Sequence, residues 1–224
     1  MKFINFFIFL ILLVIFAISG CQSFKNNASV SKEVGCPGVN KDTKVFPVEN
    51  PVITSCYGKR TLGNHADWHD GIDFRARTPV NVLAVDDGEV YETCVNMKNY
   101  KEKGYNKVCG GYGTYIILKH NDGTFTRYNH FSQIFVKKGE KVKKRSLIGL
   151  SGNTGVSQSP HLDFKVYCNN NFSSDIEKDS YRRDPLHYLP DISKDSIVGE
   201  SCKDSPTVAA LQKQIVSSEE ETNF

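Results

Sequence analysis

From about Val45 to Leu189 the chain is written in short β-prone runs broken by Gly, Asn and Asp, with no long stretch of 3.6-residue apolar period. Val52-Ile53-Thr54, Val80-Asn81-Val82-Leu83, Gly88-Glu89-Val90-Tyr91, Tyr115-Ile116-Ile117-Leu118 and Thr124-Phe125-Thr126-Arg127-Tyr128 are the clearest of these runs. Asn121-Asp122-Gly123, between the last two, is a hairpin turn signal, since Asn, Asp and Gly accept the positive φ such turns need. Strands this short bury their apolar faces only by pairing and packing together. The expected fold is therefore all-β, a compact antiparallel sheet or sandwich with few short helices. Asp184 to Leu189 is expected to form one helical turn at its end.

One run carries more than packing. In Ser159-Pro160-His161-Leu162-Asp163-Phe164-Lys165-Val166-Tyr167, read as a strand, residues two apart share a face. Leu162, Phe164 and Val166 form an apolar face; His161, Asp163, Lys165 and Tyr167 form the other, and Pro160 suits the first position. An imidazole beside a carboxylate on a rigid element suits a metal or acid–base site. The plainer alternative is a strand whose polar face meets water.

Two other stretches hold chemistry. In Trp68-His69-Asp70-Gly71-Ile72-Asp73-Phe74, His69 and Asp73 offer a neutral nitrogen and a hard oxygen to a cation, and Gly71 permits a turn between them. In Arg127-Tyr128-Asn129-His130-Phe131, His130 follows a strand. His65, close to His69, could substitute as a ligand if its loop folds inward but is expected in solvent, while His120, His187 and Trp68 read as structural.

The ends of the chain are of a different kind. Lys2, the apolar run Phe6 to Phe16 and the small residues after it make a secretory signal over residues 1–20, too short for a full membrane span. Ile18-Ser19-Gly20-Cys21 resembles the bacterial lipobox, which implies lipidation of Cys21. Gln22 after it implies a lipid-anchored protein of the cell envelope, at the outer membrane and facing the periplasm. Residues 21–44 read as a polar tether, 45–190 as the β domain, and 191–224 as a polar C-terminal tail.

Export gives the cysteines a meaning. Apart from Cys21 there are six, an even number suited to disulfides in an oxidising compartment, with connectivity open from sequence. Cys94 and Cys109 bracket an insertion-like loop, Met97 to Lys107, and are expected to pair. Cys36 and Cys202 flank the domain and could tie its ends, leaving Cys56 with Cys168. No Cys-x-x-Cys spacing marks a cysteine zinc site. With 28 basic against 25 acidic residues, the charge balance gives no argument for a nucleic-acid partner. The one basic run, Lys137 to Arg145, reads as a solvated hairpin.

Taken together, the motifs resemble a known family. Thr54-Ser55-x-Tyr57-Gly58-x-Arg60, His69-x-Gly71-Ile72-Asp73, Ala84-x-x-Asp87-Gly88-x-Val90, Gly111-Tyr112-Gly113, Tyr128-x-His130, Val136-x-x-Gly139-x-x-Val142, Ile148-Gly149-x-x-Gly152-x-Thr154-Gly155 and Pro160-His161-Leu162-x-Phe164 follow one another as in the lysostaphin-like, or LytM-type, zinc metallopeptidases. The resemblance covers about residues 51–190. It implies a lysostaphin-like β fold with a groove, one Zn2+ per chain, and hydrolysis of peptide bonds in peptidoglycan cross-links. Residue by residue, it implies His69 and Asp73 as metal ligands and His161 and His130 as catalytic groups, His161 as base or acid and His130 as stabiliser of a developing oxyanion.

The sequence departs from the family at the third ligand. Asp163 stands where the family has His, and Lys165 where it has Glu. In one reading Asp163 ligates through oxygen, giving one imidazole and two carboxylates; the added negative charge makes zinc a poorer Lewis acid and opens the site to other divalent ions. In the other, Asp163 pairs with Lys165 and no metal binds. The resemblance then implies a wall-binding lipoprotein that activates a separate amidase partner. The first reading is the expectation taken forward, with His69, Asp73 and Asp163 as the metal set.

Overall fold

The computed structural model describes residues 36–62, 65–77, 79–168, 181–203 and 205–210. The apolar N-terminal segment, Cys21 and the polar stretch through residue 35 lie outside the described residues, as does the chain after residue 210. The strands are β1 (Ile53–Ser55), β2 (Gly58–Leu62), β3 (His65–His69), β4 (Ile72–Arg75), β5 (Asn81–Leu83), β6 (Gly88–Cys94), β7 (Thr114–His120), β8 (Thr124–Phe131), β9 (Gln133–Ile134), β10 (Lys141–Val142), β11 (Leu147–Leu150), β12 (His161–Cys168) and β13 (Arg182–Arg183).

The main sheet runs β1-β4-β12-β8-β7-β6-β10, with β13 added beside β12, and its pairings are antiparallel. A smaller sheet, β5-β11-β9, and the β2-β3 hairpin complete the described architecture. The all-β expectation holds, and the Asn121-Asp122-Gly123 signal makes the β7–β8 turn, with Gly123 at φ +81°. Asp184 caps the short 3₁₀ turn Pro185–His187 by accepting from the Leu186 N–H.

Strand β12 lies between β4 and β8 at the centre. Its Leu162, Phe164 and Val166 are fully buried against a core that includes Ile72, Phe74 and Tyr128. The Phe164 ring meets Phe74 and Tyr128 edge-on at 6.3 and 5.2 Å. Each such side chain, fully buried, contributes about 1.5–3 kcal/mol.

Beyond the partly exposed His161, the opposite face of β12 does not meet water. Asp163, Lys165 and Tyr167 are 6%, 4% and 0% exposed. Their charges are tolerated because they are paired: Lys165 bonds to Asp70, and Asp70 also holds Arg182 at 3.1 Å. Register then matters. Asp163 is directly opposite Asp73 of β4 and Asn129 of β8, so three polar side chains form one row across the sheet.

Two disulfide expectations are corrected. Cys94 pairs with Cys109 as expected, but Cys36 pairs with Cys168 and Cys56 with Cys202. Flanking the domain in sequence does not put Cys36 near Cys202. Cys168 ends β12 opposite Thr124, whereas the segment leading to Cys202 runs beside β1, with Val198 N–H donating to the Ile53 carbonyl at 2.9 Å. Residues expected in a polar tail are thereby packed, with Ile192, Cys202 and Val208 buried. The insertion between Cys94 and Cys109 is likewise pinned down: Asn99 Nδ2 donates to the carbonyls of Asn153 and Ser157 at 2.6 and 2.9 Å.

Candidate metal centre

His69 ends β3, and Asp73 lies on β4 after a corner at Asp70-Gly71. Gly71 is required there by close approach. A Cβ would lie 2.6 Å from the Phe164 carbonyl oxygen and 2.7 Å from Asp163 Oδ1. This corner brings His69 against β12. His69 Nε2 is 3.3 Å from Asp73 Oδ1 and 3.5 Å from Asp163 Oδ1, and His161 Nε2 is 3.5 Å from Asp73 Oδ1. The three expected ligands thus converge, as a group of potential metal-holding atoms within 4.8 Å of one another. His130 joins them, its ring 4.8 Å from that of His161.

Each imidazole is fixed by a backbone carbonyl. A carbonyl oxygen only accepts, so the facing Nδ1 must carry a proton. His69 Nδ1 donates to the Cys56 carbonyl at 3.2 Å, His161 Nδ1 to Ser159 at 2.7 Å, and His130 Nδ1 to Thr154 at 2.7 Å. Nε2 of His69 and of His161 is thereby the nitrogen that meets the carboxylates. Metal-ligating imidazoles are held in the same manner. His130 also takes φ +67°, a left-handed conformation that costs a non-glycine residue about 1–3 kcal/mol.

The charges respond to this crowding. Burial opposes charge on His69, but Asp73 and then Asp163 outweigh it and carry the imidazole up to about 9. Burial also opposes the charged Asp163, yet Lys165 and then His69 hold its carboxyl well below the usual range. Burial, reinforced by His161, pushes His130 down to about 4. A neutral His130 with its Nδ1 hydrogen committed to Thr154 has only a lone pair at Nε2. In that state it accepts a hydrogen bond, as from a water it orients, and does not donate to an oxyanion.

The donor set fits a divalent cation. Asp73 Oδ1 and Asp163 Oδ1 are buried without a hydrogen bond of their own and converge on His69 Nε2. Buried carboxylates need a positive partner, which here is either the His69 imidazolium or a bound cation that replaces its proton. Four ligands at about 2.1 Å in a tetrahedron are about 3.4 Å apart. The observed separations from His69 Nε2 to the two carboxylates, 3.3 and 3.5 Å, have that span. Asp163 does both things expected of it: Oδ1 faces His69, while Oδ2 is within ion-pair reach of Lys165. The ammonium bonds to Asp70 and is 3.6 Å from Asp163 Oδ2, the oxygen on the far side from His69.

Several supporting residues escaped the sequence reading. Arg60 Nη1 reaches Ser55 Oγ at 3.1 Å and Asp73 Oδ2 at 3.4 Å, and Ser55 Oγ is 3.2 Å from His69 Nδ1. Asn129 Nδ2 donates to Asp163 Oδ2 at 2.9 Å. Arg60 and Ser55 stood in quoted motifs without a role, and Asn129 was the variable position of Tyr128-x-His130. Alternation along β8 puts Asn129 on one face with Arg127, but only the register with β12 puts it beside Asp163. The His65 side chain lies outside the described residues.

Residues 67–175 match peptidase family M23. Peptidoglycan DD-endopeptidase ShyA of Vibrio cholerae is 37% identical over 98 residues, 44% of this chain and 20% of that protein. The catalytic domain of the antimicrobial peptidase lysostaphin from Staphylococcus simulans is 34% identical, covering 62% of this chain and 92% of that one, with a TM-score of 0.49. The solution structure of lysostaphin is 30% identical, covering 75% of this chain and 61% of that one, with a TM-score of 0.51. The chain spans less than a third of the length of the curated relatives it matches first. With the β fold, the ordered motifs and these likenesses in agreement, the chain belongs to peptidase family M23, whose domain it carries within residues 67–175.

Proposed function

We propose that this protein is an exported, lipid-anchored metalloendopeptidase that hydrolyses peptide bonds in peptidoglycan cross-links. The observation that carries the reading is the convergence of two buried carboxylate oxygens, Asp73 Oδ1 and Asp163 Oδ1, on His69 Nε2 with no hydrogen bond of their own. His69, Asp73 and Asp163 would hold the ion, zinc or another divalent cation. Such a cation polarises a scissile carbonyl and makes nearby water more acidic. Three protein ligands leave a further position open, as catalytic sites require.

The chain's own groups supply the proton handling. His161 Nε2 lies 3.5 Å from Asp73 Oδ1, and its ring is steadied through Nδ1 by the Ser159 carbonyl. It is assigned the proton taken from water and returned to the leaving amine. His130 Nε2 orients the same water by accepting from it. Lys165 and Arg182 gather on Asp70, which places positive charge behind the second carboxylate. Attachment through Cys21 would keep the domain at the envelope facing its polymer. The relative ShyA, a peptidoglycan DD-endopeptidase by name, supports this choice of substrate class.

The test is metal content together with wall hydrolysis. Purified mature protein is expected to carry about one divalent ion per chain, and a chelator is expected to stop release of wall fragments without unfolding the domain. Protein that is folded, metal-free and unable to take up zinc would overturn the assignment and favour a wall-binding activator of a separate amidase.

A further inference from the structure

A carboxylate in place of an imidazole brings a second oxygen as well as a charge. An imidazole offers a metal one nitrogen; a carboxylate can turn and offer two oxygens, with a different coordination number. The structure contains a device that separates the two oxygens of Asp163. Asn129 is directly opposite it in the β8–β12 pairing, and Asn129 Nδ2 donates to Asp163 Oδ2 at 2.9 Å. Oδ2 is occupied by this hydrogen bond, with the Lys165 ammonium farther off at 3.6 Å, while Oδ1 faces His69 Nε2 without a hydrogen bond of its own.

The orientation of the Asn129 amide is itself fixed. Its Oδ1 accepts from Arg127 Nε at 3.0 Å. A flipped amide would put two donors together at Arg127 and two acceptors together at Asp163. Arg127 cannot easily swing away. It is 1% exposed, and its guanidinium carbon lies 3.6 and 4.0 Å from the ring centres of Tyr112 and Tyr115. Arg127, Asn129 and Asp163 therefore form a rigid relay along one face of two neighbouring strands.

We propose that Asn129, oriented by Arg127, is the positioning residue that makes Asp163 a single-oxygen metal ligand. The proposal rests on the metallopeptidase reading above and deepens it. It assigns to this chain's own residues the means by which an altered ligand presents one atom, as the imidazole would have done. Asn129 acts through Asp163 and touches neither substrate nor ion.

The experiment is a double-mutant cycle on full-length protein, read by metal binding. Zinc affinity is measured by competition with a chromophoric chelator, and coordination by the visible absorption of the cobalt(II)-loaded protein. Asn129→Leu is expected to weaken zinc by about 10–100-fold, the usual effect of losing a group that orients a ligand. Its cobalt band is expected to lose intensity as the freed Oδ2 joins the coordination. In an Asp163→His background, where no second oxygen needs restraint, the same change is expected to alter affinity less than about twofold. An equal loss in both backgrounds, or wild-type affinity and spectrum in Asn129→Leu, would overturn the proposal. Should Asn129→Leu not fold, Asn129→Ser, whose hydroxyl is too short to reach Oδ2, gives the same readings. Wild-type protein that binds no zinc defeats the metallopeptidase reading itself. Zinc bound normally by both wild type and Asn129→Leu defeats only the positioning role.

Discussion

Asp163 lies directly opposite Asp73 in the β4–β12 pairing, and each turns a buried oxygen without a hydrogen bond of its own toward His69 Nε2. Like charges opposite one another on a sheet repel, so a cation between them should stabilise the fold as well as serve chemistry. Zinc at a hundredfold excess over its dissociation constant is expected to raise unfolding stability by about 2.7 kcal/mol. Asp163→Asn should abolish that gain while remaining folded. Thermal melts of both proteins, with zinc and with chelator, make the comparison, and an equal zinc effect in the variant would remove Asp163 from the metal set.

Much of this arrangement was legible in the sequence, and the limits were physical. The alternation in His161 to Tyr167 gave the shared face of His161, Asp163 and Lys165, because the side-chain period of a strand is fixed. The resemblance supplied the partners His69, Asp73 and His130. Register across strands is not local information, so Asn129 beside Asp163 and Asp70 beneath Lys165 were not foreseen. Nor was the burial of that polar face, which depends on Tyr112, Asp70 and Arg182 arriving from distant segments. The pairing of the other four cysteines failed for the same reason, since the path of residues 192–202 beside β1 has no signature in spacing, whereas the Cys94–Cys109 loop was local and correct.

The Cys56–Cys202 bridge joins stability to the site. Cys56 supplies the carbonyl that holds His69 Nδ1, and Ser201 Oγ caps the Cys56 N–H at 3.3 Å. Replacing both cysteines by Ala is expected to lower unfolding stability by about 2–4 kcal/mol in denaturant titrations and to weaken zinc binding. The Cys94–Cys109 pair closes a loop away from these contacts. Its double Ala variant should bind zinc as wild type does, and equal loss from both pairs would contradict the local role of the Cys56 carbonyl.

Gly71 is predicted to be intolerant of a side chain. An alanine Cβ would lie 2.6 Å from the Phe164 carbonyl oxygen, 2.7 Å from Asp163 Oδ1 and 2.8 Å from Lys165 Cγ. Two of these neighbours are themselves held, Phe164 in the sheet and Lys165 by Asp70. Gly71→Ala should therefore cost about 1–3 kcal/mol by overpacking and displace Asp163 from the cluster, seen as weaker zinc binding by competition. A variant as stable as wild type with unchanged zinc affinity would show that the corner at Asp70-Gly71 is softer than its contacts indicate.

The last prediction concerns acid. His120 is buried, with Nδ1 donating to the Asp87 carbonyl at 2.9 Å and Nε2 2.7 Å from Thr126 Oγ1. Burial drives its pKa down, despite the Asp87 carbonyl and the Asp122 and Asp86 carboxylates, which pull the other way. The unfolded chain, with an ordinary imidazole near 6.5 (about the free value), therefore binds a proton before the folded one does. The stabilising contribution is complete above that pH. It is lost as pH falls through 6.5 (about the unfolded pKa) toward the lower folded value. Urea titrations across this range should show stability falling on the acid side, and His120→Asn should flatten that slope while lowering stability at pH 7 (about neutral) by loss of buried hydrogen bonds. His69 has the opposite sign, since its raised pKa adds stability that is lost as pH climbs toward about 9. The acid limb is thus shared by His120 and by His130, whose imidazole burial pushes down to about 4. His120→Asn is expected to flatten it in part, and a limb unchanged in that variant would assign it to His130.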